Sequence, residues 1–294
     1  MPRKPIPVTQ DTIEAGLRRL GLTGVEIVVV HSSLSAFGWV EGGPKTVVSA
    51  LRSVVPTVLV PAFTYSSRVP TPPDVHIPFN ADEKATNWEE FRKALDTTPA
   101  HRLDIPIDRQ MGAIAHLVAA EPDASRSSAP ICTFAGAGPR AGEVLAHGTT
   151  EDALGVLAAA ADQDGWIVLL GVGHESNTTI HVAENLEHRG GHTRYARVVD
   201  DPRGWQRVRG IGGESEGFPA IEPYLAGLQH ETKIGAARCL SAPAADVIRV
   251  ARDLIRHDIT ALIAPGDLKP GKGPSEAIAK RQAFLQRSSP PSRL

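Results

Sequence analysis

Glu26 to Tyr65 reads EIVVVHSSLSAFGWVEGGPKTVVSALRSVVPTVLVPAFTY, and the spacing of its apolar residues decides the fold class. Ile27-Val28-Val29-Val30 is an unbroken β-branched run, the mark of a strand buried on both faces. Polar residues, His31-Ser32-Ser33, close it. A glycine-bearing loop from Gly38 to Gly43 leads to Pro44, whose fixed φ suits the first turn of a helix. Val47, Val48, Leu51 and Val55 then recur at helical spacing, and Val58-Leu59-Val60 is a second buried run. Strand, loop, helix, strand is a βαβ unit. It predicts an α/β fold: a mixed, largely parallel sheet with flanking helices.

Working outward, Thr9 is placed to cap a helix carrying Ile13, Leu17 and Leu20, with Gly21 stopping it. From Ser66 to Ile107 regular patterns lapse, with Asn87-Trp88-Glu89-Glu90 as the one firm helix start; long irregular segments of this kind are often binding loops. A short helix over Ala113–Ala120, a strand over Ile131–Gly136 and a helix over Ala141–His147 follow. Tyr195 to Val208 alternates and reads as an antiparallel insertion turning at Asp201-Pro202-Arg203-Gly204. Ala244 to His257 is an amphipathic helix. The expected organisation is one α/β domain over residues 1–264, with an irregular substrate-binding insertion near 66–107. Residues 265–294 read as a linker at Lys269–Pro274, a short helix and a flexible tail.

The chain has 294 residues, of which 41% are hydrophobic and 22% charged, the balance of an ordinary globular protein. A net charge of -2 leaves no electrostatic footprint for nucleic acid or an anionic membrane surface. Cys132 and Cys239 are too few for a disulfide scaffold and suit a reducing compartment. No run reaches membrane-spanning length, and the first residues lack the apolar core of a signal peptide, so a soluble cytoplasmic protein is expected.

The chemistry is concentrated in a second stretch, Trp166 to Glu184, WIVLLGVGHESNTTIHVAE. An apolar run, Ile167 to Leu170, ends at Gly171, and Thr178 or Thr179 is placed to cap a helix carrying His181 and Glu184. Residues three apart on a helix are neighbours, and a carboxylate beside an imidazole fixes its tautomer. That puts a supported base at the carboxyl end of a core strand, where open α/β sheets bind ligands. No GxSxG elbow supplies a nucleophilic serine, and Gly171-Val172-Gly173 lacks the third glycine of a dinucleotide loop. Direct transfer remains: His181 as base, Glu184 its support, with Thr178 and the Ser32-Ser33 backbone as donors to a developing oxyanion. His31, at the equivalent position of the first strand, could approach the same cleft. Two alternatives stay open: a metal-dependent hydrolase using the cluster from His174 to His192, and a catalytically silent binding protein. No HExxH pattern is present, and no metal is expected.

These residues carry a resemblance. The chain resembles the aminoglycoside 3-N-acetyltransferase family, antibiotic N-acetyltransferases without the GNAT fold. Four blocks match in order: VVVHSSLSAFGWVEGGPKTVVSAL from Val28, VLVPAFTY from Val58, RQMGAI from Arg109 with RSSAP from Arg126, and LLGVGHESNTTIHVAE from Leu169. The likeness spans roughly Val25 to Leu262, and the fourth block is specific. The resemblance implies direct acetyl transfer from acetyl-CoA to an amine of an aminoglycoside antibiotic, conferring resistance, by a monomer or homodimer. It implies His181 as base with Glu184 beside it, and contributions from His31 and Thr178. Ser32, Ser33, Leu34, Ser35, Ala36 and Phe37, with Arg126 and Ser127, would lie near the pantetheine and thioester. A polycationic acceptor needs acidic contacts, and Asp74, Asp82, Asp108 and Glu222 are the candidates, beside Tyr65 of the second block.

The chain also departs from the family pattern. His116 stands where the family has Glu, Ala129 precedes Pro130 where it has His, and the GxSP element after Leu154-Gly155 is replaced by Val156-Leu157-Ala158. Lost contacts of this kind suit a less cationic acceptor. A divergent branch of the superfamily acetylates the 2′-amine of kasugamycin, a small atypical aminoglycoside.

Overall fold

In the computed structural model, which describes residues 7–75, 83–189, 192–268 and 278–279, the β-branched runs form the centre of a seven-stranded sheet. The elements are α1 (Gln10–Arg19), β1 (Ile27–Ser32), α2 (Pro44–Val54), β2 (Thr57–Pro61), β3 (Arg68–Val69), α3 (Trp88–Thr97), α4 (Gly112–Val118), β4 (Ser125–Arg126) and β5 (Phe134–Ala137). They continue as α5 (Ala141–Leu145), α6 (Gly155–Asp162), β6 (Trp166–Leu170), α7 (Ile180–Leu186), β7 (His192–Arg197), β8 (Trp205–Ile211), β9 (His230–Ile234), β10 (Ala237–Pro243) and α8 (Ala244–His257).

The sheet order is β4-β5-β2-β1-β6-β10-β9. β1 pairs in parallel with β2 and with β6. The outer pairings, β2 with β5, β5 with β4, β6 with β10 and β10 with β9, are antiparallel. The mixed sheet with flanking helices is as expected, with its parallel portion confined to the three central strands. The βαβ unit sets β1 and β2, β6 joins β1 in parallel from later in the chain, and antiparallel neighbours extend the sheet on each side.

Period-two alternation sorts the side chains between two apolar layers. Val28, Val30, Val58, Val60, Val168 and Leu170 meet Ile13, Leu17, Val47, Leu51, Ile114 and Val118 from α1, α2 and α4. On the other face Ile27, Val29, Leu59, Ile167 and Leu169 meet Val144, Leu157, Ile180, Val247 and Ala251 from α5 to α8. Helices therefore cover both faces and leave the carboxyl ends of β1, β2 and β6 for a site.

A three-stranded antiparallel sheet, β3-β7-β8, forms the expected insertion. Part of the irregular stretch packs on it: Val69, Ala85, Phe91 and Tyr195 make a satellite core, with Trp205 edge-on to Phe91 and to Tyr195. Asn87 caps α3, its Oδ1 accepting from the Glu90 amide at 2.9 Å. Asn87→Ala should lower stability by about 1 kcal/mol, read as a lower urea midpoint at unchanged slope.

Several boundaries move from their sequence positions. The strand expected at Ile131–Gly136 runs over Phe134–Ala137. Ile131 is left-handed at φ 69, and its amide and carbonyl are taken by the Thr64 hydroxyl and amide at 3.1 and 2.8 Å. Thr179 occupies the N-cap position of α7, but without a side-chain cap bond. It is already helical at φ -61, ψ -27; its amide donates instead to Asn177 Oδ1 at 3.3 Å. The β9–β10 hairpin and α6 have no counterpart in the sequence reading. β9 is an edge strand carrying His230, Glu231 and Lys233, which hides strand periodicity. α6 is apolar nearly all round and shows no stripe.

No helix among the described residues is long and apolar enough to cross a membrane. The expected linker at Lys269–Pro274 lies outside the described residues, as do Asp82 and Gly190-Gly191.

Candidate active site

At the carboxyl ends of β1 and β2, and just beyond the end of β6, a cavity of about 500 Å³ opens between the main sheet and the insertion. His31 and Ser32 reach it from β1, Pro61 from β2, and Thr178 and His181 from the segment after β6. Tight packing builds this end of the sheet. Gly171, at φ 71, has Ala36 so close that any Cβ would overlap it, so the turn over Leu34–Phe37 lies directly against the end of β6.

His181, in the first turn of α7, is buried and engages Glu184 Oε2 through Nδ1 at 2.5 Å. The other carboxylate oxygen, Oε1, accepts from Arg189 Nη2 at 2.7 Å. Burial opposes ionisation of Glu184, but the His181 hydrogen bond and the Arg189 guanidinium outweigh it and hold the carboxyl at about 2. An ionised acceptor at Nδ1 makes that nitrogen the donor and leaves Nε2 as the ring's base. Two further contacts fix the ring plane. Phe218 lies edge-on at 4.7 Å between centroids, and any Cβ at Gly212 would overlap the imidazole.

His31 is buried, lines the cavity, and its Nε2 has no hydrogen-bond partner among the described residues. Burial alone lowers its pKa from 6.5 to about 4, so the ring is neutral near pH 7. A pH effect on stability follows. Above pH 6.5 the ring is neutral both folded and unfolded; between 6.5 and about 4 only the unfolded chain takes the proton. The fold should therefore lose about 3 kcal/mol across that window. Denaturation of wild type against His31→Gln between pH 7 and 4 measures it: the variant should lack this part of the decline.

Cys132 lines the same cavity, but burial pushes its thiol up to about 12. It remains a thiol at neutral pH and is no nucleophile there. Among the described residues four charged side chains also line the cavity: Arg68 and Arg194 from the insertion, Glu214 from the segment after β8, whose charge acts on Arg194, and Glu175 from the turn after β6. Strand register explains the two arginines. Arg68 pairs opposite Ala196, and Ala196 shares a strand face with Arg194, so both guanidiniums lie on the cavity side.

The other expected site residues divide. Tyr65 lines the cavity, with burial pushing its hydroxyl well above the usual phenol range. Asp108 lies beside it and accepts from the Tyr65 amide at 2.6 Å. Of Ser32 to Phe37, only Ser32 is a lining residue; Ser33, Leu34, Ser35 and Ala36 make the adjoining turn, and Phe37 packs in the core. Arg126 donates to the Ile105 carbonyl at 2.7 Å, and Ser127 Oγ accepts from the Phe134 amide at 2.9 Å. Asp74 and Glu222 are not among the lining residues: Asp74 acts on Tyr195, in the satellite core, and Glu222 pairs with Arg238. His116 engages the Asp108 carbonyl at 3.2 Å.

The histidine cluster of the hydrolase reading does not converge. His174 is held at both ring nitrogens, by Gln229 Oε1 at 2.8 Å and by Asn177 at 3.2 Å. Among the described residues no three His, Cys, Asp or Glu side chains are grouped to hold a metal ion. Sequence reasoning missed Arg68, Arg194, Gly212 and Arg189. The alternation of β7 could have pointed to Arg194; Arg189 follows the end of α7 and leaves no periodic signal.

Comparison with known proteins identifies the family. The YokD protein of Bacillus subtilis, an aminoglycoside N(3′)-acetyltransferase-like protein, is 28% identical over 78% of this chain and 84% of its own. Its crystal structure superposes with a TM-score of 0.73, at 25% identity, covering 87% of this chain and 96% of that one. Aminoglycoside N(3)-acetyltransferase VII of Streptomyces paromomycinus is 30% identical over 72% of this chain and 74% of its own. A binary structure of AAC-IIIb with CoASH shares the fold, with a TM-score of 0.69 at 22% identity over 87% of this chain and 99% of that chain. The aminoglycoside 3-N-acetyltransferase family model matches residues 29–256, from β1 to the end of α8. The chain belongs to the aminoglycoside 3-N-acetyltransferase family and is an N-acetyltransferase.

Proposed function

We propose that the protein moves an acetyl group from acetyl-CoA directly to an amino group of an aminoglycoside antibiotic, conferring resistance, with His181 as the base. The observation that carries this reading is the buried His181–Glu184 pair facing the cavity, its Nδ1 engaged and its Nε2 left for the acceptor. The acceptor nitrogen bonds to the acetyl carbonyl carbon, its proton passes to His181 Nε2, and the carbon–sulfur bond breaks. The departing thiolate then takes up that proton, so the ring returns neutral. Thr178 and the neutral His31, whose Nε2 awaits a partner, are the groups at hand to steady the developing oxyanion. Cys132, held as a thiol, argues against an acyl-enzyme. The CoASH-bound neighbour supports acetyl-CoA as donor, which would meet the site at Ser32 and the adjoining turn.

The family default is a 3-amino group. A narrower reading, the 2′-amine of kasugamycin, is favoured by the charge of the lining. Among the described lining residues Arg68 and Arg194 balance Glu175 and Glu214, two against two, so these side chains offer no net negative charge to a polycation. The test is acceptor-dependent thiol release from acetyl-CoA with gentamicin, sisomicin, apramycin and kasugamycin, followed by NMR of the product. Release with at least one acceptor is expected, kasugamycin foremost. Tight binding of an acceptor with no thiol released would replace this reading with sequestration.

A further inference from the structure

We infer that Arg189 is a positioning residue for the base, and that through it the segment after α8 holds His181 in register. The inference rests on His181 being the base. Glu184 meets two donors with its two oxygens, His181 Nδ1 at 2.5 Å and Arg189 Nη2 at 2.7 Å. A carboxylate free to rotate would present a different lone pair to the imidazole; one held at both oxygens cannot. Arg189 is itself fixed, since its Nη1 donates to the backbone carbonyls of Ile259, at 3.2 Å, and Ala261. The planar guanidinium thus bridges Glu184 and that segment, a task that suits arginine better than lysine.

The same segment reaches the ring by a second route. Gly217 lies so close to the backbone of Leu262, Ile263 and Ala264 that any Cβ there would overlap it. The next residue, Phe218, is the one edge-on to His181. Residues 259–264 therefore act on the imidazole through Arg189 and Glu184 on one side and through Gly217 and Phe218 on the other. They lie beyond residue 256, where the family match ends. Asp258, at the end of α8, is a further charge near this group; hydrogen bonds from Thr260 hold its carboxyl below the usual range, with His257 and Arg189 adding to that.

The experiment compares Arg189→Met, Arg189→Lys, Glu184→Gln and the double variant E184Q/R189M. Arg189→Met should lower kcat by about 10- to 100-fold through misalignment of the base, with KM for both substrates unchanged. The acid limb of kcat/KM should move to higher pH, because Glu184 loses the cation that keeps it ionised. Arg189→Lys, which keeps the cation but not the planar fork, should recover only part of kcat and keep the wild-type acid limb. The double variant should be no slower than Glu184→Gln alone, because a residue that acts through Glu184 has nothing left to act on. It also leaves no buried charge without its counter-ion, so it folds should Arg189→Met not, and Arg189→Lys, which keeps a cation against Glu184, then carries the comparison of pH profiles. Multiplicative losses with an unmoved acid limb would overturn the proposal. A readout independent of turnover is the downfield Nδ1 proton resonance of His181, which Arg189→Met should abolish and Arg189→Lys retain; its persistence in Arg189→Met would also overturn it. Wild-type protein that shows this resonance but no transfer would remove the acetyltransfer reading and leave the role of Arg189 in holding the ring intact.

Discussion

His181→Ala should lower turnover by about 10²- to 10⁴-fold, the range for loss of a positioned general base, while binding of CoA stays near that of the wild type. The asymmetry follows from the geometry. In the proposed arrangement the imidazole, packed against Phe218 and Gly212, serves the acceptor, whereas CoA meets Ser32 and the turn over Leu34–Phe37 that follows β1. Steady-state thiol release together with calorimetric titration of CoA separates the two effects. Turnover within a fewfold of wild type would remove His181 from the mechanism.

Glu184→Ala should produce the largest loss of stability of any single change considered, about 3–5 kcal/mol at neutral pH. The cause is the partner left behind. Arg189 is buried with its guanidinium against Glu184 and two backbone carbonyls, and removing the carboxylate strands that charge. The pH dependence has a definite sign. The Glu184 carboxyl is held at about 2 in the folded chain against an ordinary 4.5. Its contribution is complete above pH 4.5 and is lost as pH falls towards 2. Urea unfolding at pH 7 and at pH 3 should show the gap between wild type and Glu184→Ala narrowing at the lower pH. A gap below 1 kcal/mol at pH 7, or one that widens with acid, would contradict the ion-paired account of Glu184.

The central strands and α1, α2 and α8 were legible because burial imposes a pattern on sequence. Ile27–Val30 and Val58–Val60 are apolar throughout since helices cover both faces, and α8 bears a stripe since only one side meets the sheet. Elements whose surroundings erase that pattern were not legible. β9 is charged because it is an edge, and α6 is uniformly apolar because it is enclosed. The site was half visible. His181 and Glu184 share a helical face, so their contact follows from spacing three. Arg189 meets Glu184 only because the chain turns at the end of α7, with the Arg189 amide donating to the Glu184 carbonyl at 2.9 Å. Arg68 and Arg194 share the cavity wall only through pairing between distant segments. Of the acidic residues picked out for a polycationic acceptor, Asp108 lies against cavity-lining Tyr65, while Asp74 and Glu222 lie off the lining, because surface carboxylates carry no local signal of what they face: Glu222 serves Arg238.

The most direct test of the central claim is a crystal structure with CoA and an aminoglycoside acceptor bound together. The account predicts the reactive amine within about 2.6–3.2 Å of His181 Nε2, with the CoA sulfur on the side of Ser32 and the adjoining turn. An amine out of reach of His181, with another side chain in position to take its proton, would contradict it.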